Sequence, residues 1–432
     1  MFLGGGPRQQ RWPRGPKNAL HTAAFEGAPK RTVALLDRGE IEINQGDPGG
    51  VTPLMCAALA GHWHVVRILL SRGACVSVTA DDGATALFGA AQNGHLAATD
   101  LLIEAGADIN AATVDGFTPL HQAADRGHPA VMRSLIGAGA NLNGRGPTGE
   151  TPMYVAASEG NLIAIRELLR AKASPLLPRT ITGEEFVPLD AAVEYGHLDV
   201  VRELIQQLGI KGCGGPSGGL HALRVAAQEQ QVGAIDILTA AGVVDTGAAL
   251  SNAAGYGREA SIKFLLRLKP EGKGKRAYVS SRNRFGATPL VCGIEVPRPC
   301  SYRIARWLVD AGADAASPVR IMDQWGRTVF DDTPLAYTNM CLHRKDVKGK
   351  PATAKQLVSL EAVRRFLLRV EAVHAVSWLW RADVPVASRE AEVEARGKTT
   401  SPRLRVVFPT MRGRNGSRRL PPGAIFRYSR KN

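Results

Sequence analysis

Cysteine is scarce: six residues in a chain of 432, at positions 56, 75, 213, 292, 300 and 341. None form a C-x-x-C pair, which argues against a disulfide scaffold or a zinc ribbon and fits a reducing compartment. No run of about 20 uncharged apolar residues exists, so no membrane-spanning helix is expected. The most apolar C-terminal stretch, 357–380, is broken by Glu361, Arg364, Arg365, Arg369 and Glu371. The N-terminus lacks the charged start and apolar stretch of a secretory signal. It is instead rich in glycine and proline. An intracellular protein, cytoplasmic or nuclear, is expected.

Acidic residues are missing from both ends. Residues 1–17 hold Arg8, Arg11, Arg14 and Lys17 and no acid; residues 396–432 hold eleven basic residues and no acid. These two segments account for the whole formal charge of +15, and the chain between them is neutral. A basic fold looking for phosphate is therefore excluded as the reason for the net charge. The ends are read as disordered basic tails, suited to anionic lipid or nucleic acid, or to localisation.

What the chain does contain is a period. Thr52-Pro-Leu-Met-Cys-Ala-Ala-Leu-Ala-Gly-His62 returns as Thr85–His95, Thr118–His128 and Thr151–Asn161, with Leu54, Leu87, Leu120 and Met153 spaced by 33 residues each time. Weaker copies are centred on Leu20, Leu189, Leu223, Leu250, Leu290 and Leu335. Each block reads as a helix. The threonines are N-caps, Pro53, Pro119 and Pro152 take the first helical position, and Gly61, Gly94, Gly127 and Gly196 end it. A second helix follows, with apolar residues at helical spacing such as Val65, Val66, Leu69 and Leu70.

No single unit can bury its own apolar face, so stability must come from stacking. This pattern resembles the ankyrin-repeat family, strongly over residues 19–267, moderately over 285–315 and weakly over 325–380. The resemblance implies an all-α solenoid of helix–turn–helix repeats, nine or ten units long, joined by short hairpin loops. Five segments are expected. They are a basic N-terminal tail (1–17), regular repeats (18–268), a basic insertion (269–284), divergent repeats with a capping helix (285–380) and a basic C-terminal tail (381–432). The insertion is expected at the surface, and the glycine-rich stretch 211–219 is expected to loosen the stack.

Catalytic patterns fail on context. Gly215-Pro-Ser217-Gly-Gly219 matches a nucleophile motif, but that chemistry requires a strand before the serine. His343-Arg-Lys-Asp346 and Gly272-Lys-Gly-Lys275 lack the spacing of kinase and phosphate-binding loops. His62, His95, His128 and His197 share one repeat slot, and His21 and His121 share another, so they read as structural. No metal, cofactor or catalytic site is expected, and Trp378 and Trp380 read as core or cap residues.

The resemblance implies a binding surface on the hairpin tips and the ends of the first helices. Carried onto this chain, those slots hold Asp81, Asp82, Gln92 and Asn93 in one repeat. The next contributes Asp115, Phe117, Asp125 and Arg126. Two more contribute Glu150, Glu159, Glu184, Phe186, Glu194 and Tyr195. Eight of these are acidic and one is basic. A groove for a Lys/Arg-rich segment with apolar anchors is the expected function, in a scaffold or adaptor for other proteins. The chain's own C-terminal tail, with Phe408, Phe426 and Tyr428 among its arginines, is one candidate occupant. Residues 401–428, with Leu420-Pro-Pro422, also resemble the box by which some repeat proteins act as substrate adaptors of ubiquitin ligases, but the expected Leu-Cys-Arg core is missing.

Overall fold

The computed structural model describes residues 18–39, 41–181, 184–215, 217–268, 274–283, 285–295, 300–316, 318–322, 328–343 and 358–370. The expected disordered tails, and Trp378 and Trp380, lie outside them.

Helices come in pairs. The first three are Ala19–Phe25 (α1) with Pro29–Asp37 (α2), Pro53–Ala60 (α3) with Trp63–Ser71 (α4), and Ala86–Gln92 (α5) with Leu96–Glu104 (α6). Next come Pro119–Arg126 (α7) with Pro129–Gly137 (α8), and Pro152–Ser158 (α9) with Leu162–Arg170 (α10). An antiparallel ribbon, Arg179–Ile181 (β1) with Glu184–Phe186 (β2), then precedes Pro188–Tyr195 (α11) and Leu198–Cys213 (α12). Two further pairs are Leu220–Gln228 (α13) with Val232–Ala240 (α14), and Ala248–Tyr256 (α15) with Glu259–Arg267 (α16). A short helix, Lys275–Val279 (α17), leads to Pro289–Glu295 (α18) and Ser301–Asp310 (α19). A second ribbon, Val319–Met322 (β3) with Thr328–Asp332 (β4), precedes Pro334–His343 (α20), and residues 358–370 form α21.

The first helix of each pair touches the first helix of the next, from α1 through α20, and α2 to α16 form a parallel outer row. Alanine pairs make the inner contact possible. Ala57-Ala58, Ala90-Ala91, Ala123-Ala124, Ala156-Ala157 and Ala191-Ala192 are fully buried, and small side chains let helix axes approach to about 8–10 Å. The outer helices close the core with Val65, Val66 and Leu69, then with Val131, Met132 and Leu135, and so on along the stack. Each buried aliphatic side chain contributes roughly 1.5–3 kcal/mol, mostly against a neighbouring unit.

Neighbouring units are also keyed by polar bonds. His62, His95, His128 and His197 each donate from Nε2 to a carbonyl near the end of the preceding first helix, at Phe25, Leu59, Gln92 and Ser158, over 2.9–3.1 Å. Asn161 does the same from Nδ2 to Ala124 (3.0 Å). Each of these side chains lies against a glycine. A Cβ on Gly94 would sit 2.5 Å from Nδ1 of His128. The glycine thus ends the helix in a left-handed conformation (φ +76°) and leaves room for the next unit's imidazole.

Several expectations change. Thr52, Thr85 and Thr151 accept the amide three residues on. At Thr118 the contact is with His121 instead: Nδ1 of His121 accepts the Thr118 amide (3.1 Å) and lies 2.9 Å from its hydroxyl. Nε2 of His121 then donates to the Glu150 carbonyl (3.1 Å), and burial pushes this ring down to about 4, so it stays neutral. The stretch 211–219 does not part the stack. Helix α12 runs on to a buried Cys213 past a non-helical Gly209, and α11 touches α13.

The basic insertion is not wholly at the surface either. Tyr278 and Val279 are buried, and the Tyr278 hydroxyl donates to Asp245 (2.8 Å). The same carboxylate accepts the amides of Gly247, Ala249 and Leu250 at the start of α15. The sequence of the insertion conceals this because its one large aromatic is surrounded by lysine and arginine. Helix α21 packs on the outer row through an edge-to-face contact of Phe366 with Tyr302, 5.8 Å between ring centres.

The glycine seat is testable with two alanines. Gly94→Ala adds left-handed strain and displaces His128, whereas Gly106 has the same sign of φ and open space around it. Gly94→Ala is expected to destabilise the chain by about 3 kcal/mol and Gly106→Ala by about 1 kcal/mol, read as shifts of the urea midpoint. Equal shifts would contradict the seat.

Candidate partner-binding face

The hairpin tips join into a continuous edge. The amide of Asp81 donates to Gly49 (3.0 Å), that of Val114 to Asp82 (2.8 Å) and that of Thr180 to Thr148 (3.0 Å). Tip residues of successive units are therefore direct neighbours. The ends of the first helices form the other margin. Asp125 feels the charge of Glu159 one unit on, and Glu194 that of Glu229, so these slots also line up across units.

Within this frame the expected residues divide. Asp81, Asp82 and Asp115 are exposed at the tips and Glu159 is exposed at the end of α9. Glu194 is half-buried at the end of α11. These five make no ion pair within 4 Å among the described residues. Tyr195 is 44% exposed beside Glu194, and Val114 beside Asp115 is 80% exposed. These residues make up the open part of the face.

Others serve the fold. Asn93 donates to the Leu59 carbonyl (2.8 Å). Gln92 supplies the carbonyl that His128 uses. The Phe117 ring lies edge-on to His121, 5.5 Å between centres, and covers Gly146 of the next hairpin. Asp125 is buried and pairs with Arg126 (3.1 Å). Phe186 stacks edge-on against His221, 4.8 Å between centres, and Glu184 lies 3.8 Å from the same ring.

Glu150 is engaged from within, by a residue that the repeat slots do not contain. Arg179 on β1 brings its Nε within 3.1 Å of the Glu150 carboxylate and 2.9 Å of the Thr148 hydroxyl, with its guanidinium over the Tyr154 ring at 5.6 Å. Arg145 is exposed in the neighbouring turn. The count of eight acids to one base therefore overstates the charge of the face. The signal was present in the spacing: the step from Met153 to Leu189 is 36 residues, not 33, and the extra residues fall in the ribbon that carries Arg179.

The remaining carboxylates hold their charge at a cost. Burial first, and then the charge of Glu159, push the Asp125 carboxyl up to about 6, against the pull of Arg126. Burial, with Glu229 next, raises Glu194 too. Burial also pushes the Tyr154 hydroxyl up to about 12, so it remains a neutral platform. Two like charges on adjacent slots are poised for a cation between them.

No group of three His, Cys, Asp or Glu suited to a metal occurs among the described residues. Ser217 sits in a glycine turn between α12 and α13 and donates to the Gly214 carbonyl (3.3 Å). No helix among the described residues is long and apolar enough to cross a membrane.

Asp125 gives a pH test. Its folded carboxyl binds a proton more tightly than it does in the unfolded chain, so its contribution to stability falls as pH rises from about 4 through about 6. Asp125→Asn is expected to raise the thermal midpoint at pH 7.5 and leave it unchanged at pH 4.5. A rise of equal size at both values would show that the charge is not responsible.

Comparison with known proteins agrees with this architecture. The family described as Ankyrin repeats (3 copies) matches residues 4–80, 20–113, 76–146 and 120–213. A 59-residue stretch is 41% identical to human Ankyrin repeat and SAM domain-containing protein 3, covering 14% of this chain and 9% of that protein. A 58-residue stretch is 41% identical to 26S proteasome non-ATPase regulatory subunit 10 of Dictyostelium discoideum, covering 13% and 25%. The likeness thus spans a small part of either relative. Ankyrin repeats generally mediate protein–protein interactions and are typically non-catalytic. With helix pairs stacked in register and the family matched across residues 4–213, the chain belongs to the ankyrin-repeat proteins.

Proposed function

We propose that this protein is a non-catalytic scaffold or adaptor that holds a Lys/Arg-rich segment of a partner protein on the concave face between Asp81 and Tyr195. The observation that carries the reading is the set of five carboxylates, Asp81, Asp82, Asp115, Glu159 and Glu194, which lack ion-pair partners among the described residues and stand beside exposed Val114 and Tyr195. A basic side chain placed there meets charges that repel one another when the face is empty. Neighbouring apolar groups give its stem a place to pack. Arg179 illustrates the chemistry with a residue of the chain itself: a carboxylate, a hydroxyl and an aromatic ring around one guanidinium.

Fluorescence anisotropy of the full chain with a labelled Lys/Arg-rich peptide tests the reading. Binding is expected to weaken steeply with salt, and Asp115→Lys with Glu159→Lys to weaken it at least about tenfold, or about 1.4 kcal/mol. Asp236→Lys, exposed on the outer helix α14, is expected to leave affinity unchanged. Salt-independent binding, or equal effects of the two variants, would rule the reading out.

The charge distribution favours a second occupant of the same face, the chain's own residues 396–432, with eleven basic residues and no acid. Tethering supplies a high effective concentration without new contacts. Deleting 396–432 is then expected to raise the affinity for an added basic peptide; unchanged affinity would leave this segment to anionic lipid or nucleic acid. The ubiquitin-ligase adaptor reading rests on 401–428, outside the described residues.

A further inference from the structure

His221 stands where the repeat pattern breaks. The slot after each central leucine holds Met55, Phe88, His121 and Tyr154 in four units, and Asp190 in the unit of α11. Asp190 is 2% exposed. Its Oδ2 accepts the Val187 amide (2.9 Å), closing the start of α11. Its Oδ1 faces the next unit, and there Nδ1 of His221, in the first turn of α13, approaches to 3.2 Å. Nδ1 meets no partner in hydrogen-bond alignment, so the contact with Asp190 is an ion pair when the ring is protonated. On the far side of the ring, Nε2 lies 3.8 Å from Glu184 on β2. The ring face meets the edge of Phe186, also on β2.

One imidazole therefore bridges three elements: α11, α13 and the β1–β2 ribbon. A neutral ring carries a single N–H and serves only one of the two carboxylates. With the lone pair on Nδ1, two acceptors would oppose each other at 3.2 Å inside the stack. Only the doubly protonated ring serves Asp190 and Glu184 together. Nothing else in the first turn of α13 favours a cation, because a helix N-terminus disfavours positive charge.

We propose that protonation of His221 clips the β1–β2 ribbon to the helices behind it, and that loss of the proton loosens the ribbon and with it the Arg179 side of the binding face.

The charges around the ring agree with this assignment. Burial opposes the imidazolium, but Asp190 outweighs it. Arg224 on the same helix works against the proton and Glu184 for it, and the net effect holds the ring above the ordinary histidine range. Glu194 on α11 also faces the ring. The thiol of Cys213 on α12, pushed up to about 12 by burial and by Asp190, stays neutral. The sign follows from linkage. A histidine raised in the fold contributes its full stabilisation below its unfolded pKa and loses it as pH rises through the folded one. By contrast His121, in the equivalent slot to Asp190, is neutral and insensitive over this range.

The importance of the clip for binding rests on the proposed function, but its test does not. Two readouts on the full chain suffice: ring NMR of the ten histidines, and hydrogen exchange of the amides of 179–181 and 184–186 across the His221 titration. Protection of the ribbon, corrected for intrinsic exchange, is expected to fall several-fold as pH rises through the His221 midpoint. His221→Gln should abolish that contrast. Glu184→Gln, at a partly exposed position, should lower the His221 midpoint with the fold intact. Ribbon protection that ignores pH in the wild-type chain, a contrast that survives in His221→Gln, or a midpoint unmoved in Glu184→Gln would each overturn the proposal. If a basic peptide fails to bind but the ribbon still responds to pH, the adaptor reading fails and the clip stands.

Discussion

A side chain reaching over a glycine to a carbonyl of the unit before it, in five consecutive units from His62 to His197, sets the spacing on which everything else depends. At His95, for example, Nε2 finds the Leu59 carbonyl at 3.0 Å only because Gly61 has no Cβ, which would lie 2.4 Å from the ring. Burial lowers the affinity of this imidazole for a proton, so it remains a neutral donor. The bond satisfies a carbonyl that a helix end would leave orphaned and fixes the angle between units. The alanine contacts of the inner row and the aliphatic contacts of the outer row then bury surface that no unit could bury alone. The same geometry places hairpin tips one hydrogen bond apart at Gly49–Asp81, Asp82–Val114 and Thr148–Thr180.

The binding face is a by-product of that regularity, modified at one place. Where the step stretches to 36 residues, the tip becomes a true two-stranded ribbon in which Arg179 and Phe186 face each other across the strands. Arg179 draws Glu150 and Tyr154 into an internal cation site. Phe186, Glu184 and Asp190 close around His221. The open carboxylates lie on the two margins of the face, Asp81, Asp82 and Asp115 at the tips and Glu159 and Glu194 at the helix ends.

Repetition made the fold legible from the sequence. Threonine caps, alanine pairs and helix-ending glycines recur at one spacing, and each has a local physical reason that tertiary structure does not override. The histidine slots were legible as structural for the same reason, though not the carbonyls they reach. The site was legible only as a set of slots. Which carboxylates are free depends on cross-unit partners such as Arg179, whose position follows from the ribbon and not from the period. Asp125 looked open and is buried, because it sits a residue too near the helix interior. Tyr278 looked like part of a basic loop and is a core residue, because a buried Asp245 in another unit needs its hydroxyl.

The most direct test of the account is a hydrogen-exchange footprint of the full chain, with and without a saturating Lys/Arg-rich peptide. New protection at 81–82, 114–117, 158–159 and 194–195, with the outer helices α4, α6 and α8 unchanged, is the expected result. Protection confined to the outer row, or none anywhere in the repeats, would contradict it.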